Sequence, residues 1–237
     1  MPRRLVWDDV LPYGRLAVLR EGRLSTAVVL GVLLAIDSTF MVLYVVHTRS
    51  GRLPDGLFSL DVERSLPAWY QFVKIAAVCA ALVVLAQRLR SAVIGLWAAV
   101  LLYAFVDDVA ELHERTGLFA QDQLGLGGVA ELSGEDLGQL IFAVVVALAL
   151  AVPLLYAHTR SSGPARRLSL GLLLLGAAFV GFAVVADAVH AALKAWSIGT
   201  RLILLEEGGE LVVMSFFLAY AWHWLRSMPS VEARRVG

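Results

Sequence analysis

Cysteine is all but absent. Cys79 is the single thiol in 237 residues, so no disulfide can form within the chain, and its place inside an apolar run suits packing as a small apolar residue better than redox chemistry. Net charge is absent as well. The 20 basic and 20 acidic residues cancel, and no basic stripe with interleaved aromatics supplies the footprint that nucleic acid requires. No P-loop, Rossmann glycine pattern or serine-hydrolase elbow occurs, which removes the common nucleotide- and ester-handling motifs. The last apolar run has no lysine for a Schiff base, which excludes a retinal protein of the usual form, and no internal repeat argues for an inverted-repeat transporter. The first 25 residues lack a short apolar core with a small-residue cleavage site, and they carry Arg3, Arg4, Arg15, Arg20 and Arg23. They read as a retained cytoplasmic segment, with no signal peptide expected.

What the chain has is apolar length. It is 59% hydrophobic and 17% charged, with a mean hydropathy of +0.75, outside the usual range for a soluble domain. Crossing a hydrocarbon core of about 30 Å takes roughly 20 helical residues. Runs of that order recur at about 26–46, 69–87, 92–112, 137–157, 168–192 and 203–225. The expected fold is all-α: a polytopic membrane protein with a six-helix bundle over 26–225, a cytoplasmic segment over 1–25 and a cytoplasmic tail over 226–237.

Both termini are placed in the cytoplasm by the distribution of arginine and lysine. That orientation puts Arg88, Arg90, Arg160, Arg166, Arg167, Arg226, Arg234 and Arg235 inside with the five N-terminal arginines, thirteen of the twenty basic residues. Only Asp8, Asp9, Glu21 and Glu232 among the acids fall on that side. Counting helical rise from the flanking arginines puts Asp107 roughly 25 Å, Glu210 roughly 24 Å and Asp187 roughly 30 Å into the bilayer. Three spans thus carry carboxylates to one layer in the outer half of the membrane.

On a regular helix Asp107, Glu111 and Glu114 share one face, Asp108 widens it, and His113 points away as an interfacial or capping histidine. The fifth run sets Asp187, His190 and Lys194 on one face, and the sixth sets Glu206, Glu207 and Glu210 together, with Gly208 and Gly209 leaving room for a close neighbour. Glu206 and Glu207 suit the first turn of their span, where the dipole favours negative charge. The acids of the third run crowd a helix C-terminus, where the dipole opposes them. They need cations, raised pKa values or basic partners.

Lys74, Arg115, Lys194 and Arg201 are the basic partners on offer, so a salt-bridge network competes with bound metal. The acids of the three faces, with Asp37 in the middle of the first span, outnumber those four. Acid and histidine pairs at i, i+3 on facing helices are how helical bundles hold two metal ions. The expected ligands are Asp107, Asp108, Glu111, Asp187, His190, Glu207 and Glu210, for one or two divalent ions. An oxygen-rich set with one nitrogen suits iron, manganese or magnesium, with zinc as a further candidate. Asp37 and Lys74 are the candidate catalytic residues, a proton acceptor and a charge partner. Asp37 also suits a helix-packing hydrogen bond.

The segments DDVAELHE (107–114) and LEEGGELVVMSFFLAYAW (205–222) resemble a pattern in uncharacterised bacterial six-span membrane proteins, in which an acid pair precedes His-Glu at one span end and Glu-Glu-x-x-Glu opens the last span. More distantly, acids and histidines on several membrane helices are similar to the alkaline-ceramidase group of membrane metallohydrolases. That resemblance implies metal-dependent chemistry on a lipid.

The resulting expectation is a protein of the bacterial plasma membrane with membrane lipid as its partner. Its metal site opens to the outer leaflet and acts on a lipid-like substrate, as a hydrolase or a di-iron oxidoreductase. A proton- or cation-handling transporter and a non-catalytic scaffold with a salt-bridged acidic cluster are the alternatives. The apolar cytoplasmic halves of the third, fifth and sixth spans favour a one-sided site over a conduit.

Overall fold

The structure, a computed structural model, describes residues 26–51, 56–62, 64–129, 132–182 and 199–228. They form seven helices: α1 (Thr26–Ser50), α2 (Leu66–Leu89), α3 (Ala92–Ala110), α4 (Leu112–Leu124), α5 (Gly134–Arg160), α6 (Gly163–Val180) and α7 (Gly199–Ser227). Among the described residues there is no strand, only an isolated bridge between Val129 and Leu132. Five helices, α1, α2, α3, α5 and α6, are long and apolar enough to cross a membrane. The described residues are thus all-helical, in the manner of a multi-pass membrane protein. α7 has 29 residues but carries Arg201, Glu206, Glu207 and Glu210 in its first half, and it falls outside those five.

Local chemistry sets the helix ends. The Ser65 hydroxyl accepts from the Ala68 N–H at 3.3 Å, and Pro67 sits in the first turn of α2, where its missing N–H costs nothing. Arg90 closes α2 in the left-handed conformation, φ 48°, with its N–H on the carbonyls of Ala86 and Gln87. Ser91 then opens α3. The resulting hairpin is pinned by an edge-on contact of Phe72 with Phe105, centroids 5.9 Å apart, and by Cys79 Sγ 3.9 Å from the Ala98 carbonyl. Ser133 and Asp136 form a reciprocal capping box at the start of α5. Pro153 lies inside α5, and the helix runs on through it to Arg160.

Contacts between helices fix their directions. α7 runs against α1, with Thr26 Oγ1 3.5 Å from His223 Nδ1 at one end and Met41 against Gly208 towards the other. It runs parallel to α2, where Arg88 donates to the Leu225 carbonyl at 3.0 Å. It is antiparallel to α6, where Tyr220 lies on Gly171 and Phe182 on Gly209. Apolar side chains gain nothing by leaving lipid for one another, so close approach at small residues is what holds such helices together. Gly208 and Gly209 therefore do what their sequence context suggested.

With these directions Arg88, Arg90, Arg160, Arg166, Arg167 and Arg226 gather at one end of the bundle, the arginine end. The acids of α3, α4 and α7 gather at the other, the acid end. The interior from Ile75 towards the arginine end is filled by Val78, Leu82, Leu85, Ile94, Trp97, Leu168, Leu172, Met214 and Phe217. Buried Ser169 interrupts it with a polar group that accepts from Trp97 Nε1 at 3.0 Å and stands 2.9 Å from His158 Nδ1. His158, near the end of α5, is thereby tied to α6.

Two expectations change. α3 stops at Ala110, because Glu111 takes the left-handed conformation at φ 53°, ψ 40° and joins α3 to α4. The break eases part of that crowding: Asp107 and Asp108 stay in the last turn of α3, but the Asp107 carboxylate accepts from the His113 N–H and Glu114 sits in the first turn of α4, where the dipole favours negative charge. The second half of α4 and the first turn of α5 fall within 118–138. Glu206 and Glu207 are not in a first turn either, because α7 begins earlier, at Gly199.

Candidate functional site

Lys74 is buried to 1% exposure and Asp37 to 0%. On α2 the buried positions Gln71, Lys74, Val78, Ala81 and Leu85 follow helical spacing along one face, which aims Lys74 at α1 and α7. Its Nζ donates to Asp37 Oδ1 at 2.9 Å, to the Leu211 carbonyl at 2.7 Å and to Ser215 Oγ at 3.2 Å. The Ser215 hydroxyl donates in turn to Asp37 Oδ2 at 2.6 Å. The ammonium also stands over the Tyr70 ring, 4.4 Å from its centroid, while the Tyr70 hydroxyl donates to the Leu33 carbonyl at 3.4 Å. Tyr70 is thus part of this site.

All three ammonium donors and both carboxylate oxygens are used. This satisfaction lets two opposite charges persist in an apolar interior. Removing either partner alone would leave an unpaired buried charge, at a cost of about 3–5 kcal/mol. The site is also closed at both ends. Towards the arginine end lie Val78, Met214 and Phe217. Towards the acid end a small cluster of Tyr44, Leu60 and Leu211, with Phe40 and Tyr70 against it, covers the pair. Gln71, one turn nearer the acid end than Lys74, is 7% exposed, and its Oε1 has no hydrogen-bond partner.

At the acid end the α3–α4 junction is organised by Asp107. Its Oδ1 accepts from the His113 N–H at 3.1 Å and the Tyr103 hydroxyl at 3.4 Å. Its Oδ2 lies 3.3 Å from His113 Nδ1. His113, expected to point away from the acids, faces Asp107 because the chain turns at Glu111. The Asp107 carboxylate raises the imidazole pKa above its ordinary value, burial opposes this, and Glu114 and Asp108 add to the rise. Arg115 pairs with Glu111 at 3.7 Å.

The expected metal ligands are distributed unevenly. Asp107, Asp108 and Glu111 lie at the α3–α4 junction, Glu207 and Glu210 on α7, and Asp187 and His190 outside the described residues. Among the described residues no group of three or more His, Cys, Asp or Glu side chains is placed to hold a metal ion. Lys74, expected as a partner for the acid layer, pairs instead with Asp37. Sequence reasoning missed Ser215, the Leu211 carbonyl and Gln71. A lone serine in VVMSFF is a weak signal, and a backbone carbonyl gives none.

Residues 24–224 match the family described as "Domain of unknown function (DUF8692)", and the chain belongs to that family. No curated protein and no solved structure matches it.

Proposed function

We propose that this is a six-span protein of a bacterial plasma membrane, with α7 as the sixth span and both termini in the cytoplasm, and that it handles protons or small cations through Asp37. The observation that carries the reading is the fully buried Asp37–Lys74 pair, held by three helices at mid-bundle depth. Ionisable groups in a membrane interior are expensive and mark ion or proton pathways by default. Acidic residues outnumber the arginines at the acid end, where Arg49, Arg64 and Arg115 also lie, and an excess of one sign favours this use, since it raises the local concentration of cations. The apolar interior beneath the pair and the Tyr44–Leu60 cluster above it make the site occluded, as a carrier requires between its openings. Continuous access from both sides would short-circuit any gradient.

The test is flux. Protein reconstituted in liposomes with a trapped pH-sensitive dye, given a sodium or potassium gradient, should change internal pH. Asp37→Asn should abolish the change while keeping helix content and elution volume. Equal signals from wild type, Asp37→Asn and empty liposomes would remove the reading. The metal-dependent alternative rests on Asp187 and His190 joining Glu207 and Glu210, and a stoichiometric metal found by elemental analysis of the purified protein would favour it.

A further inference from the structure

Three oxygens surround the Lys74 ammonium: a carboxylate oxygen of Asp37, the Leu211 carbonyl and the Ser215 hydroxyl, at 2.9, 2.7 and 3.2 Å. All three come from α1 and α7, whereas the ammonium enters from α2. The cage is thus assembled by two helices and filled by a third. Carboxylate, carbonyl and hydroxyl are the donors that hard cations take. The set carries one negative charge, so it neutralises a monovalent ion and would leave a divalent one uncompensated among apolar neighbours.

We propose that this cage is a monovalent-cation site whose resident occupant is the Lys74 ammonium, and that sodium or potassium displaces it. Two features of the chain give the displacement a path. Lys74 and Lys194 are the only lysines, every other basic residue being arginine. A lysine ammonium gives up its proton when its surroundings require it, and a guanidinium does not. A side chain on α2 leans towards the N-terminus of its helix, hence towards Gln71. The buried, unpartnered Oε1 of Gln71 lies on that side, one turn away.

In the exchange one cation enters the oxygen cage and the Lys74 ammonium loses one proton, which leaves to water at the acid end. The neutral amine then donates a hydrogen bond to Gln71 Oε1. Net charge in the site is zero before and after, so the stoichiometry is one cation for one proton. The groups facing the amine are Asp37 from α1, Tyr70 from α2 itself, and Ser215 with the Leu211 carbonyl from α7.

The inference rests on Asp37 as the ion-handling carboxylate, yet its test is binding rather than flux. In detergent, sodium chloride added to weakly buffered wild type should release about one proton per chain, and choline chloride at equal ionic strength none. Lys74→Ala empties the cage and removes the competing amine. Its unfolding midpoint should rise by about 3–6 °C in salt tenfold above the Kd, without the pH dependence of wild type, and Asp37→Asn with Lys74→Ala should lose the rise. Gln71→Leu should weaken sodium binding in the wild-type background and leave it unchanged beside Lys74→Ala. No proton release from wild type, together with identical midpoints of Lys74→Ala in sodium, potassium and choline chloride, overturns the proposal. If Lys74→Ala does not fold, the proton-release result alone decides. Cation binding without flux upholds the cage and removes the transport reading; Asp37-dependent flux without cation binding does the reverse.

Discussion

His113 reports on the α3–α4 junction through its titration. Asp107 beside its ring raises its pKa in the folded protein, so folding favours the protonated imidazole. The stabilisation this gives is fully present below the unfolded value, about 6.5, and is lost as pH rises through the higher folded value. The side chain is 38% exposed, so solvent screens the pair and the effect on stability is small. The titration itself is the clean observable. Histidine resonances followed by NMR should place His113 above 6.5, and Asp107→Asn should move it down; an unshifted value in the mutant would show that Asp107 is not the cause. Sequence reasoning marked both residues as chemically loaded yet put them on opposite faces, because it carried a regular helix past Glu111. A left-handed glutamate leaves no trace in composition, unlike the glycine that ends α4 at Gly125. Asp37 and Lys74 were equally conspicuous as charges in apolar runs. Their pairing was not legible, since periodicity gives each helix a face without saying which face meets which neighbour.

At the scale of the elements, α4 is held to α5 by small residues and backbone rather than by side-chain interlock. A Cβ added at Gly138 would stand 2.8 Å from Ala120 Cβ and 3.1 Å from both Cα and O of Gly117. The Gln121 side chain accepts from the Glu135 N–H at 2.9 Å beside this crossing. Gly138→Val therefore overpacks the contact, at a cost of about 1–3 kcal/mol, and the strain falls on the short helix. Hydrogen exchange should speed up across 112–124 and stay unchanged across α2 and the second half of α7. Unfolding of the whole bundle by this one substitution would mean that α4 and α5 are not separable from the core. The long apolar helices were readable from hydropathy alone, but α4 was not, because its composition is polar and its partner is a glycine-rich stretch that reads as loop.

For the molecule as a whole, the separation of an arginine end from an acid end makes orientation testable with a single thiol. Cys79→Ala provides a cysteine-free background. A cysteine at Gly127, where an added Cβ meets nothing within 4 Å, should be labelled in intact cells by an impermeant maleimide. One at Ser162, between α5 and α6, should be labelled only after permeabilisation. The opposite pattern would turn the acid end to the cytoplasm and reverse the direction of every gradient argument above. The Asp37–Lys74 pair also bears on how such a chain enters a bilayer at all. An isolated Asp or Lys at the centre of a span opposes insertion by about 2.5–3.5 kcal/mol, yet here the two partners belong to consecutive helices, α1 and α2, while Ser215 and Leu211 follow some 140 residues after Lys74. Two consecutive helices that cross as one neutral pair, each carrying the counter-charge of the other, would give biogenesis a use for the pair before α7 arrives to complete it.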